Sequence, residues 1–331
     1  MEKKFSLKKL TSSREMSLLL VLVILCVFVQ IRSGSFLKVS TWMDMFQNYA
    51  VTMILALGMM CVLLIGGIDI SIGSTLALAG MSTSLMLRDG LFESTFIAFV
   101  VSAVIGILCG LVIGLIISKG KVLPIIATLG FMNIYRGITY LVSDSRWVAA
   151  YEFPDSFKAF AQTKAFGVLN NLIIIMIVCY VIFFFMMKWT KLGRKIYAVG
   201  SNAEAAEVSG IKIDNIKLFV YGLMGGLAGI AGAMWVSLYA SAQGDMGTSI
   251  EMDVIAACVI GGVSLNGGKG SVAGVFLGSL TIAIIGKALP LIGVSQFWQS
   301  GIKGVIIIIA VILNVLTQRA MDRNNLKRRE M

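Results

Sequence analysis

The 331-residue chain contains no histidine. That absence removes imidazole metal sites, histidine proton relays and His-activated nucleophiles together. There are only three prolines, and charged side chains make up 14% of the chain, against about 25% in soluble domains. Acidic side chains are the scarcer sign, with 17 against 28 basic ones. No clustered acidic pair suits two-carboxylate hydrolysis, so neither a catalytic residue nor a metal site is expected. Cys26, Cys61, Cys109, Cys179 and Cys258 each sit in an apolar run and form no C-x-x-C pair. They read as small buried hydrophobes.

What the chain has instead is apolar length. Hydrophobic residues reach 58% and fall into long runs, as spans of about 20 residues require. Ten spans are expected, at about 16–31, 49–65, 71–87, 96–117, 124–142, 168–187, 218–240, 251–266, 271–288 and 300–317. The fold class is therefore an all-α polytopic membrane protein. The third and eighth spans are short and rich in Gly and Ser, a pattern of broken or partly crossing helices. No small-residue cleavage site follows the first run, so it reads as a span rather than a signal peptide. With ten spans and a cytoplasmic N-terminus, 19 Lys and Arg fall on inside segments and six on outside loops. That bias places both termini inside. The basic surplus is thus an orientation signal, and nucleic acid is not an expected partner. The organisation is a basic cytoplasmic stretch 1–15, a membrane domain 16–317 and a basic tail 318–331.

Two stretches resemble each other. One runs from Cys61 through Gly66, Gly67, Asp69, Ser71 and Gly73, the other from Cys258 through Gly261, Gly262, Gly270 and Ser271. Each passes from an apolar span through Gly-Gly and a polar turn into a small-residue helix. Gly-interrupted spans in two halves point to a duplicated transporter with its path between the halves. Asp69 and Ser71 suit the start of the helix from about 71, where a carboxylate also meets the positive helix end. Whether Asp69 is such a cap or a solute ligand stays open. The long inside loop 188–217 holds a candidate short helix over 203–208, with Ser201 or Asn202 as its cap and Gly210 as its stop.

The stretch Gly267-Gly268-Lys269-Gly270-Ser271 imitates a phosphate-binding loop. That motif needs G-x-x-x-x-G-K-S/T; here Val263 holds the first glycine position and Gly270 the hydroxyl position. ATP is not expected to bind this chain.

Glu204-Ala205-Ala206-x-x-x-Gly210 resembles the E-A-A-x-x-x-G loop of binding-protein-dependent ABC transporter permeases. Gly66 to Ser74, Ala127 to Gly130 with Tyr135-Arg136-Gly137, and Gly261-Gly262 with Gly270-Ser271 are similar to the ribose/xylose/galactose/autoinducer-2 permease group. No proline follows the loop motif, unlike in some permeases. The resemblance implies a permease subunit that imports a small sugar-like solute through a bacterial inner membrane, with ATP hydrolysed by separate ATPase subunits. It implies further partners: a periplasmic or lipid-anchored solute-binding protein and a second permease copy, like or unlike. Glu204, Ala205, Ala206 and Gly210, with Arg194 and Tyr197 on the same loop, would then dock the ATPase. Permeases of this architecture for nucleosides or amino acids stay open as alternatives, as does an ion-coupled carrier.

Three charges fall within spans, where each costs roughly 2.5–3.5 kcal/mol near a helix centre. Lys287 and Lys303 lie near span ends and can snorkel. Arg136, beside Asn133, lies deeper; a solute hydroxyl and an outside-end carboxylate both remain open as its partner. Trp298 and Gln299 stand at the outside start of the last span, as an interfacial anchor or a solute contact. Loops 143–167, 241–250 and 288–299 are the expected outside surfaces for a binding protein.

Overall fold

The computed structural model describes residues 14–165 and 169–295, with 297–298, 301–302, 304–305, 308–309 and 312 beyond them. The chain is helical nearly throughout: α1 (Arg14–Ser33), α2 (Val39–Leu64), α3 (Ile72–Arg88), α4 (Thr95–Ser118), α5 (Pro124–Val142), α6 (Asp155–Gln162), α7 (Asn171–Trp189), α8 (Lys191–Ser201), α9 (Ala203–Val208), α10 (Ile213–Tyr239), α11 (Ile250–Ile260) and α12 (Val272–Leu291). A two-residue antiparallel ladder, β1 (Lys164–Ala165) with β2 (Leu169–Asn170), precedes α7. Among the described residues six helices, α2, α4, α5, α7, α10 and α12, are long and apolar enough to cross a membrane. Most of the tenth expected span, including Lys303, lies outside the described residues, as do the basic stretches at both ends.

Packing follows the sequence chemistry. The all-apolar faces of α4, α5 and α7 stay largely exposed, as lipid-facing surfaces do, whereas α2 and α10 are buried through most of their length. With no hydrophobic drive between helices in lipid, contact comes from small residues that let backbones approach. α4 and α10 do this in antiparallel register. A Cβ on Gly106 would strike the Gly225 carbonyl, one on Gly225 the Gly106 carbonyl, and Ser102 Oγ donates to the Gly229 carbonyl at 2.7 Å. Tyr135 closes the neighbouring α4–α5 seam by donating to the Cys109 carbonyl at 2.8 Å.

Two interruptions shape the interior. α2 stops at a left-handed Gly66 (φ +75°), whose N–H and that of Gly67 bond back to Leu63 and Val62. An extended stretch to residue 71 then leads into α3. α10 stops at a left-handed Ala240 (φ +47°), and residues 241–249 lead into α11. α3 and α11 begin against each other: a Cβ on Gly73 would meet the Gly247 carbonyl and approach Glu251 Oε2 to 3.1 Å. α2 and α10 run in opposite directions, so the two like breaks are inverted relative to each other. Gly66-Gly67 and Gly261-Gly262 are also stops of one kind: Gly66 and Gly262 are both left-handed (φ +75° and +99°), and the N–H groups of Gly262 and Val263 bond back to Val259 and Cys258 as those of Gly66 and Gly67 do to Leu63 and Val62. The stretch 241–250, expected as an outside loop, is a re-entrant segment. It pairs with Val148 through Ala242 at one end, and Ala242, Met246 and Ile250 are buried. The eighth span is correspondingly short, with an 11-residue α11 where 251–266 was expected.

Candidate functional site

The loop 188–217 folds into two helices. Thr190 caps α8 by accepting from Gly193 N–H at 3.1 Å, and its inner face buries Gly193, Ile196 and Val199. Asn202, one of the two expected caps, starts α9 by accepting from Ala205 N–H at 3.0 Å. α9 covers the expected 203–208. It closes in a Schellman pattern, with Gly210 N–H bonded to Glu207 O at 2.9 Å and Ile211 N–H to Ala206 O at 3.0 Å. Gly210 sits at φ +82°, where any side chain is strained. Ala206 faces inward and is buried, whereas Glu204, Ala205 and Gly210 are exposed. Val208 is 91% exposed, a docking candidate that the sequence motif did not single out. α9 is thus a small, tethered, outward-facing element.

Its tether reaches the interior. Gly200 near the end of α8 packs on the end of α2 so closely that a Cβ there would invade the Leu64 carbonyl and lie 2.7 Å from Gly268 N. The Gly268 N–H in turn donates to the Leu64 carbonyl at 2.9 Å, satisfying an acceptor that the helix end leaves open. Tyr197 donates to the Gly270 carbonyl at 2.8 Å. α8 therefore contacts the α2 terminus and the 264–270 turn together. Arg194 stays on the exposed face, its Nη1 3.4 Å from the Trp189 carbonyl. On the same face Asp214 bridges Lys121 at 2.8 Å and Lys119 at 3.5 Å. Its hydrogen bond to Lys121 holds its carboxyl below the ordinary carboxylate range, aided by both ammonium charges.

Gly261 and Gly274 are mutually close, each aimed at the other's carbonyl across α11 and α12, and Gly262 is left-handed at φ +99°. Ser271 caps α12 by accepting from Gly274 N–H at 3.0 Å. The equivalent role expected of Ser71 is not seen. Its hydroxyl donates to Asp69 Oδ1 at 2.5 Å, and that same oxygen accepts the Ser71 N–H at 2.9 Å. Asp69, 3% exposed, thus closes the turn ahead of α3, the Ser71 hydroxyl is spent on holding it, and α3 has no side-chain cap bond.

Arg136 forms no ion pair with a carboxylate among the described residues. Its Nη1 donates to the carbonyls of Gly244 and Met246, at 2.7 and 2.9 Å. Non-helical backbone within a membrane bundle is tolerated only where its polar groups are met within the protein, and Arg136 meets two of them on this segment of turns. Asn133 turns back on its own helix, donating to the Leu129 carbonyl at 3.0 Å. Trp298 is exposed, and Gln299 lies outside the described residues. Of the path candidates, Asp69 and Ser71 lie at the start of α3, which packs on the segment before α11 that Arg136 holds, and Trp298 is an exposed residue elsewhere in the chain.

Residues 43–311 match the model of a transporter family described as branched-chain amino acid transport system / permease component. The chain is 38% identical to the ribose import permease protein RbsC of Bacillus subtilis over 293 residues, 88% of this chain and 90% of that protein. It is 37% identical to RbsC of Escherichia coli K12 over 302 residues, covering 91% and 93%. Over 318 residues it is 30% identical to the autoinducer 2 import system permease protein LsrC of Salmonella typhi, covering 96% and 90%. No solved structure matches. A bundle of apolar helices with broken members, an exposed capped helix tied to their ends and this breadth of similarity together place the chain in that permease family, as a multi-pass membrane protein.

Proposed function

We propose that the chain is the translocation subunit of an ATP-driven ABC importer for a small sugar-like solute in a bacterial inner membrane. The observation that carries this reading is α9, an exposed helix with its own cap and stop, coupled through Gly200 and Tyr197 to the ends of the spans. Such an element suits docking into a partner's groove, and the chain's own phosphate-loop imitation lacks the required glycine and hydroxyl. ATP is then bound and hydrolysed by the docked ATPase subunits, and this chain holds no cofactor. The face bearing α8, α9, Lys119, Lys121 and Lys269 carries the basic bias and is assigned to the cytoplasm, with both termini. A solute-binding protein docks opposite, on 143–167 and 288–299. Two permease copies, identical or similar, form the path, and ATP-driven closure rocks them between outward- and inward-facing forms.

The ribose and autoinducer names of the relatives support a monosaccharide or related polyol as solute. The family description supports a second reading, an amino acid. The test reconstitutes the permease with its ATPase and binding protein and measures solute-stimulated ATP hydrolysis and uptake across pentoses, hexoses, nucleosides and branched-chain amino acids. Stimulation by a sugar is the expected result. Uptake by this chain alone, driven by an ion gradient and indifferent to ATP, would refute the importer reading.

A further inference from the structure

Away from α8 and α9 the helices do not close. α2, α10, the start of α11 and α12 enclose a cavity of about 650 Å³, within the roughly 300–1,000 Å³ range of small-molecule sites. One wall is aromatic: Trp235 and Tyr239 on α10, with ring centroids 4.9 Å apart and planes tilted by 52°. The other walls are mixed: Met45, Ile250 and Met252 are apolar, and polar groups come from Asn48 and Thr52 on α2, Ser249 and Asp253 around the start of α11, and Lys287 on α12. A second cavity of about 500 Å³ shares the two rings and Thr248 and adds Gln243 and Asp245. The aromatic pair thus lines two neighbouring chambers of mixed character.

Several features fix this arrangement. The Tyr49 ring lies so close to α12 that a Cβ on Gly286 would strike its hydroxyl, so the glycine sets the position of the wall. Arg136 holds the Gly244 and Met246 carbonyls, and with them the segment that carries Gln243, Asp245 and Thr248. Asp253 already interacts within the protein, but a carboxylate offers about four acceptor positions and retains capacity for a solute.

The chemistry selects a solute class. The two tilted rings offer an aromatic face to the C–H face of a sugar ring, and neutral amide and hydroxyl groups elsewhere in the lining match hydroxyls radiating from its edge. Asp253 and Lys287 balance in charge, so no net field draws an ion. A zwitterion would use that charged pair but leave Asn48, Thr52 and Ser249 without counterparts. We propose that this chamber is a solute-holding site within the permease itself. It takes one monosaccharide-sized polyhydroxylated ring, with the ring face on Trp235 and Tyr239 and the hydroxyls on Asn48, Thr52 and Asp253. The inference rests on the sugar-importer reading and adds to it: the permease selects its solute rather than only conducting what a binding protein delivers. A site on a path must also release its cargo, so the binding is weak.

Saturation-transfer NMR tests this on the purified full-length permease without partners, with D-ribose and L-leucine as probes. The wild-type protein is expected to transfer saturation to the ribose ring protons. Asp253→Asn and Trp235→Leu are each expected to weaken binding about tenfold, the equivalent of one lost contact. Trp235→Phe keeps an aromatic face and retains the signal. This conservative variant and the wild-type titration keep the test decisive if Trp235→Leu does not fold. No transfer to ribose from a wild-type permease whose assembled importer takes ribose up would overturn the site and leave the importer reading standing. Binding unchanged in Asp253→Asn and Trp235→Leu, or leucine bound in place of ribose, would overturn it as well. Failure of the assembled importer to take up any sugar would instead strike the functional reading beneath it.

Discussion

The contact between Gly200 and the end of α2 gives the sharpest test of the coupling argument. In Gly200→Ala the new methyl carbon would overlap the Leu64 carbonyl oxygen and approach the Leu64 carbonyl carbon to 2.8 Å and Gly268 N to 2.7 Å. All three are backbone atoms, so no rotamer relieves the overlap and α8 must shift away from α2. Overpacking of this kind costs about 1–3 kcal/mol. The same shift breaks the Gly268–Leu64 hydrogen bond of 2.9 Å, adding about 0.5–1.5 kcal/mol. The expected loss is therefore about 2–4 kcal/mol for one methyl group, several times the roughly 0.8 kcal/mol of its own transfer energy. It is read as a lower melting temperature of the purified permease, with uptake uncoupled from ATP hydrolysis in the reconstituted importer. Gly130→Ala within α5 is the control: nothing lies within 4 Å of its Cβ, and no loss is expected, only the roughly 0.5–1 kcal/mol gain of replacing a helical glycine. A Gly200→Ala protein with wild-type melting and wild-type coupled uptake would sink the claim that α8 is locked to the span ends.

Further expectations concern the neighbouring groups. Glu204→Lys reverses an exposed charge on α9, so membrane insertion should persist while uptake falls about tenfold or more, the effect of losing one good contact; normal uptake would remove Glu204 from the docking surface. Asn202→Ala deletes the α9 cap and should cost about 1 kcal/mol locally, seen as faster amide exchange at Ala205. Arg136→Met orphans two carbonyls at about 1–3 kcal/mol each, and a melting temperature equal to wild type would show that other groups hold the re-entrant segment. Asp214 titrates below the ordinary carboxylate range because Lys121 and Lys119 face it. Its small stabilisation is therefore full above the unfolded value near 3.8 and is lost as pH falls through the lower folded value. Comparing melting of wild type and Asp214→Asn down to strong acid, at low salt, should show the difference vanish only there.

Local chemistry made α9 legible in the sequence: Asn202 at its start and Gly210 at its end are signals written within ten residues. α8 carried comparable signals, since Thr190 stands three residues before Gly193 and Leu192, Ile196 and Val199 repeat at helical spacing, yet the basic residues between them drew the reading toward a plain loop. The long apolar helices were equally readable from run length. The re-entrant stretch was not. Residues 241–249 are polar and glycine-containing, which is how a surface loop reads, and it is distant parts of the chain, Arg136, Gly73 and Val148 among them, that draw them inward. The aromatic wall was invisible for the same reason: Trp235 and Tyr239 occupy a helix end where they read as interfacial residues. Asn48, Asp253 and Lys287 come from three separate helices, so their convergence exists only in the packed bundle.

The brevity of α11 bears on how this protein enters a membrane at all. Eleven helical residues rise about 16 Å, roughly half of the ~30 Å hydrocarbon thickness. A segment that short, preceded by non-helical backbone with open carbonyls, has little tendency to partition from an insertion machine into lipid by itself. It has to wait in a protected place until α3, α5 and α12 supply the glycine contact, the guanidinium and the covering helix. Synthesis therefore passes through a state in which the later half of the chain is threaded but its centre is unbuilt. A ribosome stalled before α12 emerges should leave residues 241–260 open to aqueous thiol reagents from an introduced cysteine, and completion of the chain should close them.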